Sequence, residues 1–210
     1  MALKTQGTRL RVASTSGSPV NITGITAANP AVVTAVAHGL ATGDVVIIRG
    51  IVGMVQLNDR AFVVDNLTAN TFSLRGIDST GFTAYTSGGT VARQTLIDVA
   101  ETSQIAGFDG QATEVDTTHL RSTAKEYVLG LQDFGNVTLS MFTVSDAGQA
   151  RLRALKAQGN AAAFAVTLSD NSVAAFMAFV RSFTFDVGGP DGTVQSQVQL
   201  RVTGEPAWFA

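Results

Sequence analysis

The chain has no cysteine, so disulfides and thiolate metal sites are excluded. It has only two histidines, His38 and His119, so a metal site would have to rest on carboxylates and this pair. Charge is also scarce. Asp, Glu, Lys and Arg make up 14% of residues and sum to a net charge of -2, against about 25% charged in ordinary domains. No cluster of Lys and Arg is available to displace counterions from phosphates, which excludes a nucleic-acid clamp. The most apolar run, Val173 to Val180, is far short of the roughly 18 residues of a membrane span. The opening MALKTQGTRL has no apolar signal region, so no secretory signal is expected.

Hydrophobic residues are plentiful, at 45%, which excludes intrinsic disorder. Apolar content with so little charge suits a subunit that buries broad faces against copies of itself. The expectation is a soluble protein made and assembled in the cytoplasm, with no membrane partner.

Short β-type runs separated by Gly, Asn, Asp and Ser dominate. Residues 8–15 alternate, with Leu10 and Val12 on one face and Arg9 and Arg11 on the other. Residues 21–93 contain closely spaced strands, the texture of a small all-β module. Within it NLTAN (66–70) predicts a turn between paired strands. Residues 95–101 alternate again. The runs 8–15 and 95–101 are therefore expected to pair, with 21–93 inserted at the hairpin tip, where an insertion costs a host fold little.

In 136–144, Val137, Leu139 and Met141 alternate with Thr138, Ser140 and Phe142. One helix is predicted over about 145–158. Ser145 is its expected N-cap, Asp146 lies in the first turn, and Arg151, Arg153 and Lys156 occupy later turns. Gly159 is the left-handed stop, and Leu152 and Leu155 form the apolar stripe. Further strands are predicted over 161–168 and 172–187, followed by a turn at GGPDG (188–192). Residues 193–204 have the cleanest alternation. Val194, Ser196, Val198, Leu200 and Val202 point one way, and Gln195, Gln197, Gln199 and Arg201 the other. Such a row of amides suits a surface that something charged must pass without sticking.

Signals for enzymatic chemistry are poor. The nucleophile elbow, phosphate loop and dinucleotide fingerprint are all missing. His38 and His119 read as polar residues of surface turns. Glu114 and Asp116 would share a strand face, as an acidic edge or as a carboxylate pair, but acid–base work also needs a pocket and a raised pKa. Lys125 and Glu126 could form an ion pair with a neighbouring subunit, or an exposed local pair worth under about 1 kcal/mol. Phe176, Phe179, Phe183 and Phe185 could form a ligand groove, but core packing or a subunit interface is the favoured reading. No catalytic residue, cofactor or metal is expected, and the chain is not read as an enzyme.

The run IAGFDGQATEVDTTHLRSTAKEYVLGLQDFGNVTLSMF (105–142) resembles the core signature of siphophage tail tube proteins, the major tail proteins of the lambda kind. An acidic, Thr-bearing strand is matched by Glu114, Val115, Asp116 and Thr117. A long loop is matched by Ser122, Ala124, Lys125, Glu126, Tyr127, Gly130, Leu131, Asp133 and Gly135. A strand leading into a short helix is matched by 136–159. The block 21–93, with HGLATGDVVIIRGI, resembles a small β module found inside some phage tail proteins and in ubiquitin-activating enzymes. No ubiquitin chemistry is implied. A separate C-terminal immunoglobulin-like domain is not expected.

The resemblance implies a mainly β fold: a tail-tube-type β-sandwich or barrel subunit with one flanking helix and an inserted small all-β domain. The core would be discontinuous, 1–20 and 94–210, with 21–93 on the exterior. Six subunits would form a ring, and rings would stack into a tube through which DNA is ejected. The partners implied are further copies of the chain, other tail proteins (tape measure, terminator, baseplate) and DNA that passes without specific binding. The location implied is the virion tail, with the host cytoplasm during assembly. Residues 118–135 would be a loop reaching a neighbouring subunit or ring, mobile in the monomer, with Tyr127, Leu129, Leu131 and Phe134 as buried anchors. Gln195, Gln197, Gln199, Thr138 and Ser140 would face the lumen. A cell-surface or glycan-binding β module remains an alternative, with Phe62, Phe72, Phe82 and Tyr85 as its aromatics. So does another ring-forming tail component, such as a terminator or baseplate hub.

Overall fold

Alternating apolar and polar residues dictate most elements of the computed structural model, which describes residues 3–208. Strand β1 (Arg9–Ser16) is followed by β2 (Val20–Asn21), β3 (Gly24–Ile25), β4 (Val32–Thr34), β5 (Val45–Val52), β6 (Arg60–Asp65) and β7 (Thr71–Leu74). The long β8 (Ser87–Asp98) leads to β9 (Thr102–Gly107), β10 (Glu114–Asp116), β11 (Tyr127–Leu129) and β12 (Asn136–Phe142). Helix α1 (Ala147–Gln158), β13 (Ala162–Thr167), β14 (Val173–Asp186) and β15 (Gln195–Ala207) complete the order. The fold is mainly β with one helix.

All strands but β10 and β11 belong to one sheet, in the order β3-β4-β7-β6-β5-β8-β1-β13-β14-β15-β12-β9, with β2 on β8. Every pairing in it is antiparallel. Strands β1 and β8 pair as expected, Arg11 opposite Asp98 and Val12 opposite Ile97. The turn at 66–70 joins the paired β6 and β7. Strand β8 is continuous. Its first half pairs β5 and its second half β1, so position 93/94 lies inside a strand and not in a linker.

Three apolar layers result. One gathers Leu10, Val12, Phe164, Phe176, Val198 and Leu200 under Leu152 and Leu155 of α1. A second, around Phe62, Phe72, Ile48 and Leu57, fills the β3–β8 half. The third lies between the two halves. There Ala13, Val45, Ile47, Ala61 and Val63 meet Ala163, Ala165, Ala175 and Met177. Alanine is frequent in this layer because two sheet faces can close on small side chains without voids. Each buried Phe contributes about 1.5–3 kcal/mol.

Three sequence expectations need correction. The N-cap of α1 is Asp146, not Ser145. The Asp146 carboxylate accepts from Gln149 N at 3.1 Å and from Ala100 N at 3.2 Å, so one anion serves both the helix start and the β8–β9 connection. Gly159 ends the helix at φ 66° as expected, its N–H donating to Leu155 O. His38 is buried, not a surface residue. Its ring meets Phe72 edge-on at 5.2 Å, and Nδ1 accepts from Leu40 N at 3.1 Å. Val194 precedes β15 and is exposed, unlike Ser196, Val198, Leu200 and Val202 on the same alternation.

Candidate functional site

One polar face crosses four strands. Strand β15 carries Gln195, Gln197 and Gln199 on the side away from α1, because Val198, Leu200 and Val202 fill the core beneath the helix. Register places Ser140 and Thr138 of β12 opposite Gln197 and Gln199. On the other side Thr184 and Ser182 of β14 oppose the same glutamines. Gln104 and Ala106 of β9 extend the rows beyond Ser140 and Thr138. All five glutamine, threonine and serine residues singled out in the sequence therefore lie together. Gln104, Ser182 and Thr184 join them, and the alternation of their own strands pointed to these without showing which face they would share.

The two central rows hold no ionisable side chain. Arg201 stands at one end, opposite Asn136. Its Nη2 donates to Asp133 Oδ2 at 2.5 Å. Asp133 also accepts from Gly135 N at 2.9 Å. That amide and then Arg201 hold the Asp133 carboxyl below its ordinary range. The cation at the edge of the face is thus neutralised locally. Sequence spacing could not show this pair, 68 residues apart.

The same four strands present two free edges. Among the described residues strand β9 pairs only with β12. Strand β14 pairs with β13 only through Val173–Ala178, so Phe179–Asp186 has β15 on one side and, among the described residues, no strand on the other. Unpaired strand edges of this kind are templates for another chain.

The long loop expected over 118–135 contains the second strand of a hairpin ribbon formed by β10 and β11. Strands β10 and β11 pair antiparallel, Glu114 opposite Leu129 and Asp116 opposite Tyr127, and among the described residues they join no other strand. Backbone bonds from Gly130 N to Thr113 O and from Thr117 N to Glu126 O extend the ladder at both ends. Ser122 Oγ accepts from His119 N and closes the tip, where Ala124, Lys125 and Glu126 are exposed. Tyr127, Val128, Leu129 and Leu131 are all exposed, Leu131 at 93%. Phe134 differs from the expectation of an anchor without a host. It is half-buried against its own core, below α1. The reason is the neck of the ribbon, where a Cβ on Gly110 would lie 1.9 Å from Asp133 O and one on Gly135 2.2 Å from Asp109 Oδ1. Gly135 also takes φ 68°, a conformation open to glycine. That tight crossing turns Phe134 inward.

The remaining candidates separate. Glu114 and Asp116 share the exposed ribbon face with Leu129 and Tyr127. His119 is exposed at the tip, remote in sequence from buried His38. Among the described residues no group of three His, Cys, Asp or Glu is placed to hold a metal. Phe62 and Phe72 are fully buried, and Phe82 and Tyr85 pack against the same core.

Residues 28–94 match the family model of the ubiquitin-activating enzyme E1 FCCH domain. Residues 76–175 match that of the lambda-like phage tail tube, TTP. The two overlap over 76–94, which includes the Ser87–Gln94 part of β8, the strand both halves share. No curated protein matches the chain. Among solved structures it is similar to a chain from the tail of an empty GTA particle with C6 symmetry, at 17% identity and TM-score 0.46, covering 55% of this chain and 87% of that one. It is similar also to a chain from the virion of a native gene transfer agent particle, at 17% identity and TM-score 0.47, covering 55% and 89%. Strand β9, the ribbon, β12, α1 and β13 all lie inside the span 76–175 that matches the lambda-like phage tail tube model.

Proposed function

We propose that this chain is a structural virion protein, not an enzyme, whose copies close into hexameric rings that stack as the phage tail tube and conduct DNA during ejection. The observation that carries this reading is the four-stranded sheet β14-β15-β12-β9 with a free edge at each side. These strands alternate in direction, so β9 of one copy runs antiparallel to the free half of β14 on the next. Head-to-tail pairing of unlike edges builds a ring, and closure removes the exposed edges. Six copies at about 4.8 Å per strand give a circumference of roughly 115 Å and a diameter of roughly 37 Å, wide enough for a duplex.

The face with Gln195, Gln197, Gln199, Thr138 and Ser140 would line that channel. Neutral amides and hydroxyls form no persistent phosphate contacts and release no counterions, so DNA slides. In this reading 1–20 and 94–210 form the tube core, and 21–93 is a module on the exterior. In that module Phe62 and Phe72 are buried, and Phe82 and Tyr85 are partly buried against the same core, which argues against a glycan reader built on them. Assembly would take place in the host cytoplasm with tape measure, terminator and baseplate proteins as partners. Negative-stain microscopy of the purified protein at rising concentration tests the reading. Hollow stacked rings are expected. Rings that never elongate would assign it to another ring-forming tail component, and a compact monomer under every assembly condition would overturn it.

A further inference from the structure

At the far end of the tube sheet a groove of about 460 Å³ opens between α1 and the β14–β15 hairpin. Its floor is apolar: Phe183, Phe185, Val187 and Val194. Phe185 and Val187 are 69% and 61% exposed, a poor arrangement for a finished surface. Its rim carries two cations of α1. The Arg153 guanidinium lies 5.6 Å from the Phe183 ring centre, and Lys156 sits in the last turn. Neither has a carboxylate partner among the described residues.

The β10–β11 ribbon has the complementary composition. One of its faces sets Glu114 and Asp116 beside Leu129 and Tyr127, apolar side chains with two carboxylates. The ribbon cannot turn back into its own groove. It leaves the sheet where Gly107 and Asn136 lie, level with Arg201 of β15. The groove lies at the other end, level with Phe142 and Gln195. The seven residues of β12 separate the two ends, about 23 Å of strand. A ribbon at one end of the strands and an unlike, complementary groove at the other make a heterologous pair, and contact between opposite ends propagates along the strand direction.

We infer that the acidic, apolar face of the β10–β11 ribbon docks in the α1/β14–β15 groove of a second copy in the next ring. Glu114 and Asp116 meet Arg153 and Lys156 there, and Leu129 and Tyr127 cover Phe185 and Val187. This rests on the tube reading and adds the receiving surface and the polarity of stacking. The buried apolar area supplies most of the attraction, and the charges fix register and direction.

Because the chain has no cysteine, a designed pair reports cleanly. Leu129→Cys with Val187→Cys, oxidised after assembly, should give a ladder of covalent multimers on denaturing gels, and each single variant none. Charge reversal is the second arm. Glu114→Lys with Asp116→Lys should leave rings that do not elongate, and adding Arg153→Glu with Lys156→Glu should restore tubes. Tubes without a ladder, or tubes formed undiminished by the ribbon reversal alone, overturn the docking and leave the tube reading intact. An unsubstituted chain that forms no rings overturns both.

Discussion

At the scale of single residues, two charged side chains carry specific loads. Arg60 is buried between the two halves of the molecule. Its Nε donates to Glu205 O at 3.1 Å, its Nη1 to Gln56 O at 3.1 Å, and its Nη2 pairs with Glu205 Oε2 at 3.0 Å. It also lies over the Phe62 ring. Burial lowers the Arg60 pKa and Glu205 raises it, yet a guanidinium remains charged. Arg60→Ala should cost about 2–4 kcal/mol, because two carbonyls lose a charged donor and a cavity opens. Glu205→Gln should cost under about 1 kcal/mol, since its side chain is half in water. Urea unfolding of both variants checks the order.

Asp133 gives a pH prediction. Its folded pKa is lowered, first by the Gly135 amide and then by Arg201. A lowered carboxylate contributes stability that is present above its unfolded pKa of about 4 and is lost as pH falls through the folded value. Carbon-detected NMR should place the Asp133 midpoint below that of a free aspartate. Arg201→Gln should raise the midpoint only part of the way, because the larger cause stays.

At the scale of elements, α1 is held by contact more than by helix propensity. Gly148 lies in its first turn, where an added Cβ would fall 2.2 Å from Asp98 O and 2.8 Å from Val99 Cα. Alanine is the better helix former by about 1 kcal/mol, yet backbone in the way cannot yield as a side chain can. Gly148→Ala should therefore lower Tm, and a rise in a thermal scan would show that the helix can shift off β8. The helix and its glycine stop were legible from Leu152, Leu155 and Gly159. The N-cap is one residue later than Ser145, at Asp146, whose carboxylate accepts from Gln149 N within the helix and from Ala100 N after β8. The ribbon was less legible. Gly130 and the polar stretch 117–126 read as loop, and the cross-strand pairing of 114–116 with 127–129 makes the segment a hairpin.

At the scale of the whole molecule, open edges, an exposed apolar ribbon and an apolar groove coexist on a chain of low charge. In the tube reading, amides of 114–129 and the edge amides of β9 should exchange slowly in assembled tubes and faster in monomer. Equal protection in both states, measured by hydrogen exchange, would remove the ribbon and β9 from the assembly contacts. The third apolar layer, alanine-rich between the two halves, implies that residues 21–93 move with the core and not on a tether. Its small side chains gave no periodic signal that distinguishes packing between sheets from packing within one.

Composition and alternation by themselves determined that this chain folds mainly as β strands with one helix and that glutamines share one side of β15. Each of these follows from local periodicity, which fixes which side chains share a face. Tertiary structure alone decided which faces meet: Thr184 and Gln104 joining the glutamines, Asp133 reaching Arg201, His38 turned inward, and Phe134 kept by its own core. Those outcomes depend on register and crossing between segments tens of residues apart, and local patterning does not encode that geometry.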